Sequence, residues 1–93
     1  MDTHEAGIKE LIAKARLGSA QELMHCGKLE EAERLYKQTL RQAEADTDES
    51  NMLVALVLLE MFDFYENQGR NDEAKPIWSR MRKIVLMNLP EKF

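Results

Sequence analysis

At 93 residues the chain has room for one domain with a modest core. Its formal charge of −4 argues against nucleic acid, where binding is led by phosphate neutralisation from a basic face. Cys26 is the sole cysteine, so an internal disulfide is excluded and a reducing, cytoplasmic setting fits.

The opening residues, MDTHEAGIKE, are polar and acidic, unlike a signal peptide. Met1 favours a complete product over a piece of a longer array. Asp2 and Glu5 read as a capping pair for a first helix from about Thr3 to His25, with Ile8, Leu11, Ile12, Ala15 and Leu23 at helical spacing. Gly18 weakens its middle and Gly27 stops it. A second helix follows from about Leu29 to Ala45, with Leu29, Ala32, Tyr36, Leu40 and Ala43 on one stripe. Glu30–Arg34 and Glu33–Lys37 stand four apart in the favourable order.

Asp46 to Ser50 form a polar link in which Thr47 is the N-cap candidate for a third helix. That helix runs to about Asn67, stopped by Gly69. From Met52 to Tyr65 only Glu60 and Asp63 are charged, too short and too polar a run to span a membrane. A fourth helix, capped by Asn71, runs to about Asn88 with Ala74, Ile77, Trp78, Met81, Ile84 and Val85 inward; Pro90 ends the ordered part. Trp78 reads as a core aromatic whose replacement by alanine costs about 3–5 kcal/mol. No β-branched alternation marks a strand, so the class is all-α, two antiparallel hairpins at about 3–45 and 48–88 with a tail at 89–93.

The two glycines open matching blocks. GKLEEAERLYKQTL at Gly27 and GRNDEAKPIWSRMR at Gly69 align without gaps at a period of forty-two, pairing Ala32 with Ala74, Leu35 with Ile77 and Tyr36 with Trp78. The glycine lets the chain leave a helix through a left-handed conformation, the alanine allows close helix approach, and the aromatic one turn on fills wider space.

On these blocks the sequence resembles the tetratricopeptide repeat family, over roughly residues 13 to 85. It is closest to the longer variety found in kinesin light chains and many bacterial proteins: LLEMFDFYENQGRNDEAKPIW resembles NLALLYEKQGKYEEAEPLY, and Pro76 falls where that variety often has proline. Phe62 departs from the small residue usual there, which either splays the third helix or fills a gap. Thr39 and Met81 replace a second frequent alanine. The resemblance implies hairpins stacked as a short right-handed superhelix and a non-catalytic adaptor that binds protein or peptide. The binding groove it implies is lined by the first helix of each hairpin: Lys14, Leu17, Gln21 and Met24, then Leu56, Leu59, Asp63 and Asn67. Family members that clamp a terminal carboxylate use Lys and Asn at positions held here by Leu17, Gly18, Leu59 and Glu60, which disfavours that ligand.

Two hairpins are fewer than stacking normally requires, the tail VLMNLPEKF is apolar, and no polar capping helix follows. A homodimer through Leu56, Leu59, Ile84, Val85, Leu86, Leu89 and Phe93 is the alternative use of the surface. His25 and Cys26 are adjacent and diverge on a helix, His4 is distant, and no cluster has metal-ligand spacing. Cys26 reads as a small half-buried residue. No nucleophile–base set or phosphate loop is present, so neither enzyme activity nor a cofactor is expected. The basic residues Arg70, Lys75, Arg80, Arg82 and Lys83 read as a solvated face.

Overall fold

The computed structural model describes residues 3–48 and 51–90. They form four helices, α1 (Thr3–His25), α2 (Leu29–Asp46), α3 (Met52–Asn67) and α4 (Asn71–Met87), with no strand among the described residues. α1 packs on α2 and α3 on α4 as two hairpins; α2 also packs on α3, and α1 touches α3 more lightly. α3 is thus the central helix, and its Val54, Ala55, Val57, Leu58, Met61, Phe64 and Tyr65 are all buried. Most of its excess apolar surface is therefore absorbed internally. The all-round hydrophobicity of this helix is what burial between two neighbours requires. The Asp2–Glu5 capping pair and Phe93 lie outside the residues whose side chains are described.

The forty-two-residue echo is realised in the turns. Gly27 has φ 79° and Gly69 has φ 71°. Gly27 donates its N–H to the Met24 carbonyl and Lys28 to that of Leu23; Gly69 and Arg70 repeat this with Glu66 and Tyr65. Each pair satisfies carbonyls that a helix end would otherwise leave unpaired. Ala32 and Ala74, the matching close-approach positions, are both buried. A Cβ on either glycine would meet open space, so the left-handed backbone alone sets the cost of replacing it. Gly27→Ala and Gly69→Ala should each lower stability by about 1–2 kcal/mol, read as a shift of the urea midpoint without change of slope.

Several local expectations are corrected. Thr47 does not start α3. Its hydroxyl donates back to the Ala43 carbonyl at 2.6 Å and closes α2, while the Asn51 side chain accepts from the Leu53 N–H at 2.8 Å and caps α3. Asn71 is already helical; the flanking residue is Arg70, whose side chain makes no cap. Leu29 is exposed, and Thr39 joins the buried stripe of α2 in its place, its hydroxyl satisfied by the Leu35 carbonyl. Ile8, Leu11, Ile12 and Ala15 do not form the inner stripe of α1; that role falls to Ala13, Leu17 and Ala20. Cys26 is exposed rather than half-buried.

Candidate protein-binding faces

The seam between the hairpins shows how this chain holds one helix pair on another. Its apolar part brings Tyr36 of α2 against Phe64 of α3, ring centroids 5.2 Å apart and tilted. Burial pushes the Tyr36 hydroxyl up to about 12, with Glu60 and Asp63 adding to the shift. At one end of the seam stands a charged latch. Arg70 donates to Glu33 through two nitrogens at 2.9 and 3.1 Å, and to Glu73 through two at 2.7 Å. Its guanidinium lies 4.7 Å from the Tyr65 ring centre. The Tyr65 hydroxyl also donates to Glu33, at 2.9 Å, and Lys37 stands 3.2 Å from the same carboxylate. Arg70, then Tyr65 and Lys37, hold Glu33 down at about 2 against the opposing effect of burial. At the other end Arg80 of α4 donates to Glu44 of α2 at 2.6 Å. Two members of the C-terminal basic group, Arg70 and Arg80, are thus ion-paired to the first hairpin.

The residues expected to line a groove on α1 and α3 meet different fates. Leu17 is buried, and Gln21 is tied by its amide to the Glu60 carboxylate across the seam. Met24 and Leu56 are half-buried against the core. Leu59, Asp63 and Asn67 remain open on α3, and Lys14 on α1. In the expected dimer patch Ile84 is buried and withdraws, Val85 is half-buried, and Leu86 and Leu89 are exposed.

The surface that sequence reasoning missed is found by comparing equivalent positions of the repeat. Leu17 is 5% exposed but its equivalent Leu59 is 39% exposed; Tyr36 is 1% exposed but its equivalent Trp78 is 44% exposed. Hairpin one has a neighbour on this side and hairpin two, among the described residues, does not. Trp78 is therefore no core residue. It stacks obliquely on Phe62, centroids 5.1 Å apart, so the large residue at the family's small position fills space beside the tryptophan. The two rings line a cleft of about 590 Å³ with Glu66, Asn71, Ala74, Lys75 and Ser79. A second recess continues along α4 past Trp78 to Arg82, Lys83 and Leu86. This tail face is apolar at its centre and basic at its edge. A wider depression near the first turn is lined mainly by charged and polar groups around Leu23, Leu29 and Leu35.

The opposite end is open in the same sense. Val54 is 0% exposed, and its equivalent on α1, Ile12, is 45% exposed; Leu11 beside it is 68% exposed. With Ile8 and Ala15 these form a stripe on the outside of α1, the head face.

Among the described residues no group of three or more His, Cys, Asp or Glu is placed to hold a metal ion, and no helix is long and apolar enough to cross a membrane. Comparison with family models, curated proteins and solved structures finds no match to this chain.

Proposed function

We propose that this protein is a non-catalytic binding module of the tetratricopeptide type, which takes a protein or peptide partner on the apolar tail face built around Phe62, Trp78 and Leu86. The observation that carries the reading is the 44% exposure of Trp78 at a position whose counterpart, Tyr36, is sealed by the next helix. An exposed tryptophan stacked on a phenylalanine beside a shallow apolar cleft is the kind of anchor on which protein interfaces concentrate their energy. The groups with displaced proton affinities speak for the same reading. Glu33, Tyr65 and Arg70 are spent on the hairpin seam and Tyr36 on its interior, so none is left poised for proton transfer. The matched turns at Gly27 and Gly69, with Ala32 and Ala74 buried alike, support the family resemblance.

The test is affinity capture with the wild-type chain and with Trp78→Glu, both checked for native helix content. A protein retained by the first and lost by the second is the expected result. Identical captured sets would overturn the assignment of this face.

A further inference from the structure

The seam shows what the outer side of a hairpin's second helix can hold. α2 receives α3 on Tyr36, and it offers an acid at either end: Glu33 takes Arg70 and Glu44 takes Arg80. α4 is the counterpart of α2 in the second hairpin. In the forty-two-residue register it carries Trp78 for Tyr36, but Lys75 for Glu33 and Leu86 for Glu44, with Arg82 in the place of Leu40. The aromatic anchor is kept and the sign of the face is inverted.

That positive charge is not neutralised within the chain. Residues Ala74 to Met87 hold four cations and no acid, in a chain whose overall charge is −4. Arg80 is spent on Glu44. Lys75, Arg82 and Lys83 are exposed, line the two recesses of the tail face, and form no ion pair among the described residues. Glu66 is the only acid lining either recess, and it stands at the end of α3 beside the turn. Lys75, Trp78, Arg82 and Leu86 follow one another at intervals of three, four and four residues. They form a ridge about 16 Å long in which cationic and apolar side chains alternate turn by turn.

Resting on the protein-binding reading above, we propose that the occupant of the tail face is an acidic amphipathic helix of a partner protein, its apolar stripe on Phe62, Trp78 and Leu86 and its flanking carboxylates on Lys75, Arg82 and Lys83. The occupant is a helix because the equivalent side of α2 takes one, α3. It is acidic because covering this strip takes water from the three cations around it, and only opposite charge offsets that loss. The surface lies on α4, outside the groove that the family resemblance assigns to α1 and α3. A second copy of this chain does not meet the requirement: in the same register its open end brings Lys28 to Lys75.

The experiment is fluorescence anisotropy of the full chain with two labelled peptides of about twenty residues, long enough to hold a helix. Both carry one leucine stripe at helical spacing, flanked by glutamates in one and by lysines in the other. The acidic peptide should bind about tenfold more tightly at low salt, and the ratio should shrink as salt rises. Lys75→Glu/Arg82→Glu/Lys83→Glu should reverse the preference; Trp78→Ala should weaken the acidic peptide without reversing it. Lys75→Gln/Arg82→Gln/Lys83→Gln, which should level the two peptides, serves if the reversed variant loses helix content. Phosphatidylglycerol vesicles and single-stranded polyuridylate test other anionic surfaces. Both should stay unbound at the concentration of acidic groups at which the acidic peptide saturates the chain. The proposal is overturned if the basic peptide binds as tightly as the acidic one, if neither binds, if the reversed variant keeps the wild-type preference, or if vesicles or polyuridylate bind at that concentration. Equal binding of both peptides that still needs Trp78 removes the acidic partner and leaves the binding face; if neither binds, the capture experiment above decides the face by itself.

Discussion

Phe64→Ala should lower stability by about 3–5 kcal/mol, enough to unfold much of a domain this small, while Trp78→Ala should cost only about 1–2 kcal/mol. The order is the reverse of what residue size alone suggests, and it follows from position. Phe64 is fully buried, with Tyr36 at 5.2 Å and Tyr65 at 5.3 Å between ring centroids, and belongs to both the α3 core and the seam. Removing its ring leaves a cavity bordered by two helices of different hairpins, so neither can close on it without losing contacts elsewhere. Trp78 touches Phe62 on one side and solvent on the other, and water fills whatever its truncation vacates. Urea unfolding followed by circular dichroism gives both values from the midpoint shift. A Trp78→Ala loss as large as that of Phe64→Ala would mean that the tail face is covered in the native protein, which is itself the signature of a bound partner or a second copy.

The helices and their turns were legible in the sequence because what sets them is local. Periodicity, two glycines forty-two apart and the alanines five residues beyond them are each decided within one or two turns of chain. Burial was not legible in the same way. Tyr36 and Trp78 are residues of one class at one register, yet one is sealed and the other open, because burial depends on the presence of a neighbouring hairpin. The same holds for Leu17 and Leu59, placed together in one groove by analogy and separated by the stacking. On α1 the expected stripe Ile8–Leu11–Ile12–Ala15 faces outward, and Ala13, Leu17 and Ala20 take the interior. Thr47 lies just past the end of α2 in extended backbone and gives both its N–H and its hydroxyl to the Ala43 carbonyl, so the start of α3 is capped by Asn51 instead. The signal for the latch was present but cryptic: Glu33 and Arg70 lie thirty-seven residues apart, and only the fold brings them together.

That latch makes the protein's stability depend on acid, and Glu33 is the group responsible. Its carboxyl is held at about 2 in the fold against an ordinary value of 4.5. A lowered folded value means that the charged form is favoured by folding. The contribution is therefore complete above about pH 4.5 and is lost as the pH falls through the interval down to about 2. The side chain is 19% exposed and two of its partners are charged, so the contribution is about 1–3 kcal/mol after allowance for screening. Unfolding free energy measured at intervals between pH 7 and pH 2 should fall along this limb. Glu33→Gln should lose about the same amount at pH 7 and flatten the limb, because glutamine still accepts from the Tyr65 hydroxyl but offers Arg70 no charge. Glu30→Gln, at an exposed position on the same helix, is the control and should leave the limb unchanged. An acid limb equally steep in Glu33→Gln would place the pH dependence in other carboxylates and reduce the latch to a surface ion pair of little weight.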